Sequence, residues 1–296
     1  MTVVTFAERF AELTEIRATR PDAIAEAAAR RARRPSPLGP SGRMMIIAAD
    51  HPARGALRAG PDALAMADRR DLLERLCVAL DRPGVDGVLG TPDVIEDLLL
   101  LGALDGKVVL GSMNRGGLAG ASFEIDDRFT AYSAAALAAA GLDGGKMLLR
   151  VDPGDPATAR TLEACGNAVS GLAAHRLMAM VEPFLSARGN DGRLANVLTP
   201  EAMIRAIAIA SGLGATSART WLKVPVVPDM ERVIAATTLP VVLLGGEVPA
   251  DPDAALGGWQ SALALPAVRG LVVGRSLLYP PGGDVAGAVD AAVRLL

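Results

Sequence analysis

The chain has 296 residues, of which 51% are hydrophobic and 21% are charged, and its formal net charge at pH 7 is −3. That length suffices for one large domain or two ordinary ones, and the 3% aromatic content predicts an aliphatic core. The small negative charge gives no electrostatic reason to bind nucleic acid or an anionic membrane, and no apolar run reaches the ~18 residues of a membrane span.

The N-terminal sequence and the cysteines both favour a reducing compartment. Acidic residues and the lack of a long apolar segment near Met1 predict that the chain carries no signal peptide. The two cysteines, Cys77 and Cys165, lie far apart, and nothing in their contexts supports a disulfide. We therefore expect a cytoplasmic protein.

The first segment predicts a helical extension. Residues 5–34 are apolar and rich in alanine, so we expect residues 1–40 to form helix packed on a domain of residues 41–296. The segment ends in the arginine cluster ARRARR (29–34), which we interpret as a solvated helix end rather than a nucleic-acid site, because it is short and acids flank it. Residues 35–43 are rich in proline and glycine, which predicts a turn-rich connector.

After the connector, short apolar runs alternate with helical patterns. The predicted strands are 44–50, 85–90, 107–113, 146–152, 176–184, 220–227, 240–246 and 270–276. The clearest helical patterns are 67–80, 127–141, 199–213 and 229–238. Such alternation predicts parallel pairing, and eight units in about 250 residues predict an α/β (β/α)8 TIM barrel. A doubly wound open sheet is the alternative, but DHPARGAL after the first strand is not a glycine-rich dinucleotide fingerprint.

Chemistry-bearing side chains recur where the predicted strands end. In a barrel, functional residues stand at the carboxyl-terminal ends of strands. The first strand ends in Asp50-His51, and the fourth carries Lys146 and Arg150 on one side because side chains alternate. The fifth strand carries Glu182 and the sixth carries Lys223.

Lys223 is the residue that most needs an explanation. The chain has only three lysines, Lys107, Lys146 and Lys223, and its other basic residues are arginines. A buried amine loses hydration, which lowers its pKa, and a neutral amine attacks carbonyls to form a Schiff base. We predict that Lys223 is the nucleophile and that Lys146 tunes it or stabilises the carbinolamine. The alternative is a structural ion pair of Lys223 with Glu182 or Asp50, which arginine would serve as well.

The turns after the last two strands predict a phosphate site. Gly245 and Gly246 follow the seventh strand, and Gly274 and Arg275 follow the eighth. Loops at these two places in a barrel often bind phosphate, because glycine lets the backbone approach an anion and arginine adds a charge-assisted bond. The alternative is that these are ordinary turns in a chain with 32 glycines.

The remaining polar groups have more than one interpretation. Asp50 and Glu182 are candidate general acid–base groups, or else structural ion-pair partners of arginines. His51 is expected either to orient the substrate or to cap its loop. Arg150 and Arg115 are candidates to bind a second anionic group of the substrate, a carboxylate or a phosphate. Either could be a surface salt-bridge arginine instead, which for Arg115 is the favoured interpretation.

The histidine count argues against a metal. The two histidines are His51 and His175, and His175 precedes the fifth strand at the end of the barrel opposite the site. A catalytic zinc ion usually takes three protein ligands, often several of them histidine. We therefore predict no metal and no other cofactor.

Several short motifs resemble one enzyme group. Lys223 on the sixth strand with Lys146 on the fourth resembles the class I Schiff-base aldolases with (β/α)8 barrels, such as deoxyribose-phosphate, archaeal-type fructose-bisphosphate and tagatose-bisphosphate aldolases. AADHPARGAL resembles their Asp-His-Gly or Asp-Gln-Arg-Gly-Ala-Leu motif, Glu182 in MVEPF their strand-five glutamate, and GGEV with VGRSL their phosphate turns. The likeness covers residues 44–280 and is nearest to barrel proteins associated with inositol catabolism.

The resemblance implies a metal-independent aldehyde-lyase that acts on a phosphorylated keto sugar or keto acid in sugar or inositol catabolism. It also implies a homo-oligomer, since aldolase barrels commonly associate. Two departures are visible: two extra residues separate Asp50 from Arg54-Gly55, and the tyrosine acid of the archaeal-type enzymes has no counterpart. The alternatives are a Schiff-base acyl transferase or isomerase on a phosphorylated ketone, and a non-catalytic sugar-phosphate-binding barrel.

Overall fold

A closed ring of eight parallel strands forms the centre of the molecule, which a computed structural model describes over residues 5–190 and 192–296. The ring consists of β1 (Met44–Ala48), β2 (Gly87–Gly90), β3 (Val108–Ser112), β4 (Gly144–Val151), β5 (Met178–Arg188), β7 (Thr220–Val224), β8 (Val241–Leu244) and β9 (Val268–Val273), and a further strand, β6 (Leu194–Asn196), lies outside it. Parallel neighbours follow the order β1-β2-β3-β4-β5-β7-β8-β9, and β9 pairs with β1 to close the ring. The predicted TIM barrel is confirmed.

Helices surround the ring. They are α1 (Phe6–Thr19), α2 (Ala23–Arg30), α3 (Arg69–Asp81), α4 (Pro92–Leu100), α5 (Ala134–Ala139), α6 (Ala157–Ala174), α7 (Pro200–Ser211), α8 (Met230–Ile234), α9 (Pro252–Leu263), α10 (Arg275–Leu278) and α11 (Val285–Val293), with a 3-10 turn at Pro52–Arg54. Among the described residues, none of these helices is long and apolar enough to cross a membrane.

Alternation along the strands separates two layers of core. Odd-numbered positions of β1, such as Met45 and Ile47, pack outward against the helices, whereas Met44, Ile46 and Ala48 belong to a cluster inside the ring. The inner cluster is completed by side chains from five other strands: Leu89, Val108, Leu110, Met178, Met180, Val242 and Val272. Because the lower part of the lumen is apolar, the polar residues that follow with the same alternation lie above it.

Two local predictions were wrong, and one strand was not predicted. The N-terminal segment is two helices instead of one, because Pro21 has no N–H for the helix and Arg20 before it leaves the helical region at φ −141°. The predicted helix 127–141 is reduced to α5, which begins only where Ser133 caps it. An extra strand, β6, pairs antiparallel with the end of β5 outside the ring.

The arginine cluster is a solvated helix end only in part, because Arg30 and Arg33 are exposed but Arg31 is buried. Arg31 is 6% exposed, and its guanidinium donates to the backbone carbonyls of Lys107 and Gly141, each at 2.7 Å. Both carbonyls lie just before barrel strands, so this side chain ties the N-terminal helices to the amino-terminal end of the barrel. Asp143 also pairs with Arg31, at 3.3 Å. The division into residues 1–40 and 41–296 stays a prediction.

Replacing Arg31 by methionine should lower the free energy of unfolding by about 1.5–3 kcal/mol, because carbonyls and a carboxylate lose their charged donor. Arg30→Met is the matched control, since the Arg30 side chain is 70% exposed and its ion pair with Glu26, at 3.5 Å, lies at the surface. It should change stability by less than about 0.5 kcal/mol. Urea unfolding of both variants measures the difference, and equal losses would contradict the assigned role of Arg31.

Candidate active site

A pocket of about 290 Å³ opens at the carboxyl-terminal ends of the barrel strands. All ten residues predicted for the site line it: Asp50, His51, Lys146, Arg150, Glu182, Lys223, Gly245, Gly246, Gly274 and Arg275. The structure thus brings together side chains that are up to 225 positions apart in the sequence, from Asp50 to Arg275. The barrel does this because its strands end at one common rim.

Asp50 is held at the centre of a buried polar network. It is 2% exposed, and its Oδ2 accepts hydrogen bonds from Ser112 Oγ at 2.9 Å and Lys146 Nζ at 3.2 Å. Arg115 Nη1 lies 3.1 Å from the same oxygen. Burial raises the pKa of Asp50, but Lys146 and Arg115 outweigh it and hold that pKa well below its usual range. Asp50 is therefore ionised.

Glu182 lies between the two lysines. Its Oε1 accepts a hydrogen bond from Lys223 Nζ at 2.6 Å, and its Oε2 pairs with Lys146 Nζ. Burial acts to raise the pKa of Glu182, yet Lys146 and Lys223 together depress it strongly. The two lysines therefore lie close together, as predicted. Lys223 also makes the ion pair with Glu182 that a purely structural role of this lysine would require.

The network holds more positive than negative groups. Lys146, Lys223 and Arg115 face two carboxylates, Asp50 and Glu182. Burial is the main cause that lowers the pKa of Lys146, and Arg115 and Lys223 lower it further against the pull of the carboxylates. An excess of buried cations favours the loss of a proton from an amine, which is the state that attacks a carbonyl.

His51 lies beside this network as a neutral group. Its Nδ1 is buried without a hydrogen-bond partner among the described residues and is 3.9 Å from Asp50 Oδ1. Burial lowers the pKa of His51 to about 3, with Arg275 and the lysines adding to the effect and Asp50 opposing it. Its side chain makes no capping bond to the 3-10 turn that follows, so the structure does not show the capping role.

The turns after β8 and β9 lie side by side. Gly246 has φ +67°, a conformation that favours glycine, and a side chain at Gly274 would collide with the carbonyl of Ala48. Arg275 links the turns, because its Nη2 donates to the carbonyl of Gly246 at 3.2 Å and its Nη1 pairs with Glu247. A guanidinium between two glycine turns is suited to bind an anion.

The opposite wall of the pocket corrects one expectation. Arg115 is not a surface arginine: it is 5% exposed and donates to the backbone carbonyls of Asn114 and Asp50, at 2.5 and 3.2 Å. Arg150 is buried as well and pairs with Glu124. Glu124 also accepts a hydrogen bond from Arg54 Nη2 at 3.0 Å.

Arg54 and Glu124 are lining residues that the sequence analysis missed. Arg54 was visible within the motif AADHPARGAL, which could have identified it, but Glu124 lies in a loop without a periodic pattern. Neither Tyr132 nor Tyr279, the two tyrosines of the chain, lines the pocket. Within residues 5–190 and 192–296, no group of three or more His, Cys, Asp or Glu side chains is placed to hold a metal ion.

The fold and this site define an α/β barrel with a lysine-containing pocket at its carboxyl-terminal rim. The chain belongs to the Cgl0159-like family, whose sequence model matches residues 42–293. The crystal structure of Cgl0159 from Corynebacterium glutamicum is 54% identical, with a TM-score of 0.95 over 97% of this chain and 96% of that chain. A search of curated proteins found no match.

Two of the more distant structures are aldolases. An archaeal fructose-1,6-bisphosphate aldolase, solved with its catalytic lysine covalently bound to the carbinolamine intermediate, is 18% identical, with a TM-score of 0.63 over 92% of this chain and 98% of that chain. A fructose-bisphosphate aldolase from Slackia heliotrinireducens is 18% identical, with a TM-score of 0.62 over 95% of this chain and 84% of that chain. At such identities the likeness shows the fold alone. The comparisons give no support to a link with inositol catabolism.

The neutral state of His51 predicts a pH dependence of stability. The pKa of His51 is about 3 in the folded chain and near 6.5 in an unfolded one. The unfolded chain therefore binds the extra proton first, and stability falls as the pH drops below about 6.5. Between about pH 7.5 and pH 5, His51→Gln should lose about 1–2 kcal/mol less unfolding free energy than the wild type.

His175→Gln is the matched control, since it changes the histidine outside the pocket and should keep the wild-type pH dependence. Urea unfolding at the two pH values measures the effect. Ring-proton NMR gives an independent check, and a His51 ring that becomes protonated near pH 6.5 in the folded protein would overturn the assignment.

Proposed function

We propose that the protein is a class I aldolase, an aldehyde-lyase that cleaves or forms a carbon–carbon bond in a phosphorylated keto sugar or keto acid through a Schiff base on Lys223. The observation that carries the proposal is the contact of Lys223 Nζ with Glu182 at 2.6 Å, on the wall of a pocket where Lys146 shares the same carboxylate. The amine thus has a carboxylate and a second cation beside it.

The arrangement supports formation of the Schiff base, and the later steps are those of the class I aldolase reaction. The Lys223 amine, once it has lost its proton, attacks the keto carbon to give a carbinolamine, whose hydroxyl leaves as water when Lys146 supplies a proton. The resulting iminium takes up the electron pair of the neighbouring carbon–carbon bond once a base removes the proton of the β-hydroxyl. An aldehyde departs and an enamine remains. Protonation of the enamine carbon and hydrolysis of the iminium then release the ketone and restore the amine.

A purely structural ion pair explains the site less well. Arg115 pairs with Asp50 and Lys146 pairs with Glu182, so the two carboxylates are balanced without Lys223. Arginine would hold Glu182 in two-point contact and cannot form a productive imine at neutral pH. The use of lysine at both lumen positions, in a chain with only three lysines, favours amine chemistry.

The phosphate of the substrate is assigned to the turns after β8 and β9. Arg275 supplies a guanidinium there, and the backbone at Gly246 leaves room for close approach, because no atom lies within 4 Å of the place where a Cβ would stand. Glu247 now pairs with Arg275 and is 65% exposed, so an arriving phosphate can replace that carboxylate without opening the core. The names of the distant structural neighbours, which act on a sugar bisphosphate, agree with this assignment.

Replacing Lys223 by arginine should abolish turnover and covalent trapping while the fold is kept. Wild-type protein incubated with dihydroxyacetone phosphate and borohydride should gain the mass of one reduced adduct, and Lys223→Arg should gain none. Lys107→Arg is the matched control, because Lys107 lies before β3, where its Nζ donates to the Val85 carbonyl at 2.7 Å outside the pocket. It should be trapped like the wild type.

Trapping of Lys223→Arg at the wild-type level would contradict the proposal. Absence of any adduct in the wild type would favour the non-catalytic binding barrel instead. An adduct that forms without release of an aldehyde from phosphorylated ketoses would favour the acyl transferase or the isomerase.

Replacing Arg275 by alanine should weaken competitive inhibition by inorganic phosphate about ten- to a hundredfold, because a charge-assisted contact is lost. For the phosphorylated substrate, kcat/KM should fall mainly through a higher KM if the phosphate is bound equally well in the ground and transition states. Arg269→Ala, at an exposed position of β9, is the control and should leave the phosphate inhibition constant unchanged. Equal inhibition of both variants would remove Arg275 from the anion site.

A further inference from the structure

A second cluster of arginines lines the pocket across from Arg275. Arg115 follows β3 and Arg150 is on β4, whereas Arg275 follows β9 and Gly245 follows β8. In the ring order, β3 and β4 stand four places from β8 and β9, so the two groups face each other across the eight-stranded mouth. Arg54 completes the cluster, because it reaches the carbonyl of Gly117 at 2.8 Å and Glu124 at 3.0 Å.

In two guanidinium groups of this cluster, one nitrogen has no hydrogen-bond acceptor among the described residues. Arg115 Nη2 and Arg150 Nε are buried and make no hydrogen bond within the described part of the chain, although both side chains line the pocket. The two side chains are only 5% and 6% exposed. A buried donor without an acceptor is destabilising, and an anion that enters the pocket supplies acceptor oxygens.

The cluster is crowded with positive charge. The pKa of Arg54 is lowered to about 10, chiefly by burial, and Arg150 and Arg115 act in the same direction. Glu124 is shared between Arg54 and Arg150 and so neutralises one of them. Asp127, which accepts a hydrogen bond from Gly117 N at 2.8 Å, is the other acid close to all three arginines.

The charge count favours a ligand group with one negative charge. The three arginines of the cluster, Arg54, Arg115 and Arg150, carry three positive charges. Two carboxylates lie against them, those of Glu124 and Asp127. The excess is one positive charge, which a carboxylate balances and a dianionic phosphate would exceed.

The members of the cluster differ in their distance from the lysines. Arg115 contacts Asp50 beside Lys146, whereas Arg150 is four residues beyond Lys146 on β4, which is about 13 Å between backbone positions at about 3.3 Å per residue. A carboxylate bound at the Arg150 end of the cluster is therefore several carbon atoms away from a carbonyl at Lys223.

We propose that Arg54, Arg115 and Arg150 bind a carboxylate at the end of the substrate opposite its phosphate, so that the protein takes phosphorylated sugar acids in preference to neutral sugar phosphates or bisphosphates. The description of this molecule as a substrate rests on the proposed aldolase function, but the anion site itself does not. It is therefore tested by binding of compounds that have no ketone or aldehyde group and cannot form a Schiff base.

Three open-chain six-carbon probes separate the possibilities: 6-phosphogluconate with a carboxylate at the far end, glucitol 6-phosphate with a neutral hydroxyl, and glucitol 1,6-bisphosphate with a second phosphate. Titration calorimetry of the wild type should give a Kd for 6-phosphogluconate about ten- to a hundredfold lower than for glucitol 6-phosphate. The bisphosphate should bind more weakly than 6-phosphogluconate.

Two variants at the arginine cluster should act in opposite directions. Arg150→Gln should remove most of the preference for 6-phosphogluconate and leave the Kd of glucitol 6-phosphate nearly unchanged. Glu124→Gln removes the competing carboxylate and should tighten 6-phosphogluconate severalfold, which a damaged fold would not do. Arg160→Gln is the matched control, since Arg160 is 61% exposed and pairs with Asp126 outside the pocket. It should bind like the wild type.

The result that overturns the carboxylate site is a wild type that binds 6-phosphogluconate and glucitol 6-phosphate equally, or that prefers the bisphosphate. A preference that survives Arg150→Gln and does not respond to Glu124→Gln would also overturn it. Because no probe has a ketone or aldehyde group, a failure of borohydride trapping does not affect these binding results. Successful trapping without a preference for 6-phosphogluconate would contradict the carboxylate site and leave the aldolase function unaffected.

Discussion

The shared carboxylate of Glu182 is the contact on which the site depends. Two lysines from different strands converge on it, Lys146 from β4 and Lys223 from β7, and Lys146 continues the network to Asp50 beyond β1. Each of these charges would be costly alone in the lumen, and removal of one partner leaves another buried charge uncompensated. The network therefore holds the rims of four strands in a single arrangement around the pocket.

Much of this arrangement could be predicted from strand alternation. The alternation that places Met44, Ile46 and Ala48 inside the ring carries on to Asp50, and the same rule brings Lys146 and Glu182 inward. Eight apolar runs with intervening helical patterns were enough to predict the barrel. The barrel in turn predicts that strand ends meet at one rim, which is why residues distant in sequence could be assigned to one site.

What could not be predicted lies in the loops. Arg115 was expected at the surface, because nothing in the sequence shows that the segment after β3 folds back over the lumen and places its guanidinium on Asp50. Glu124 gave no signal for the same reason. The alanines around α5 predict a longer helix than the structure has. The residues before α5 form a loop instead, in which Thr161 Oγ1 donates a hydrogen bond to the Ile125 carbonyl and Asp127 accepts one from Gly117 N. Such contacts depend on tertiary structure and not on local pattern.

The measurement that tests the account most directly is the location of a borohydride-reduced adduct by peptide mass spectrometry of the wild-type protein. With only three lysines in the chain, each candidate can be placed on a separate peptide. We predict that dihydroxyacetone phosphate is attached to Lys223, with Lys146 and Lys107 unmodified. An adduct on Lys146 with an unmodified Lys223 would contradict the central assignment and make Lys223 the neighbouring cation instead of the nucleophile.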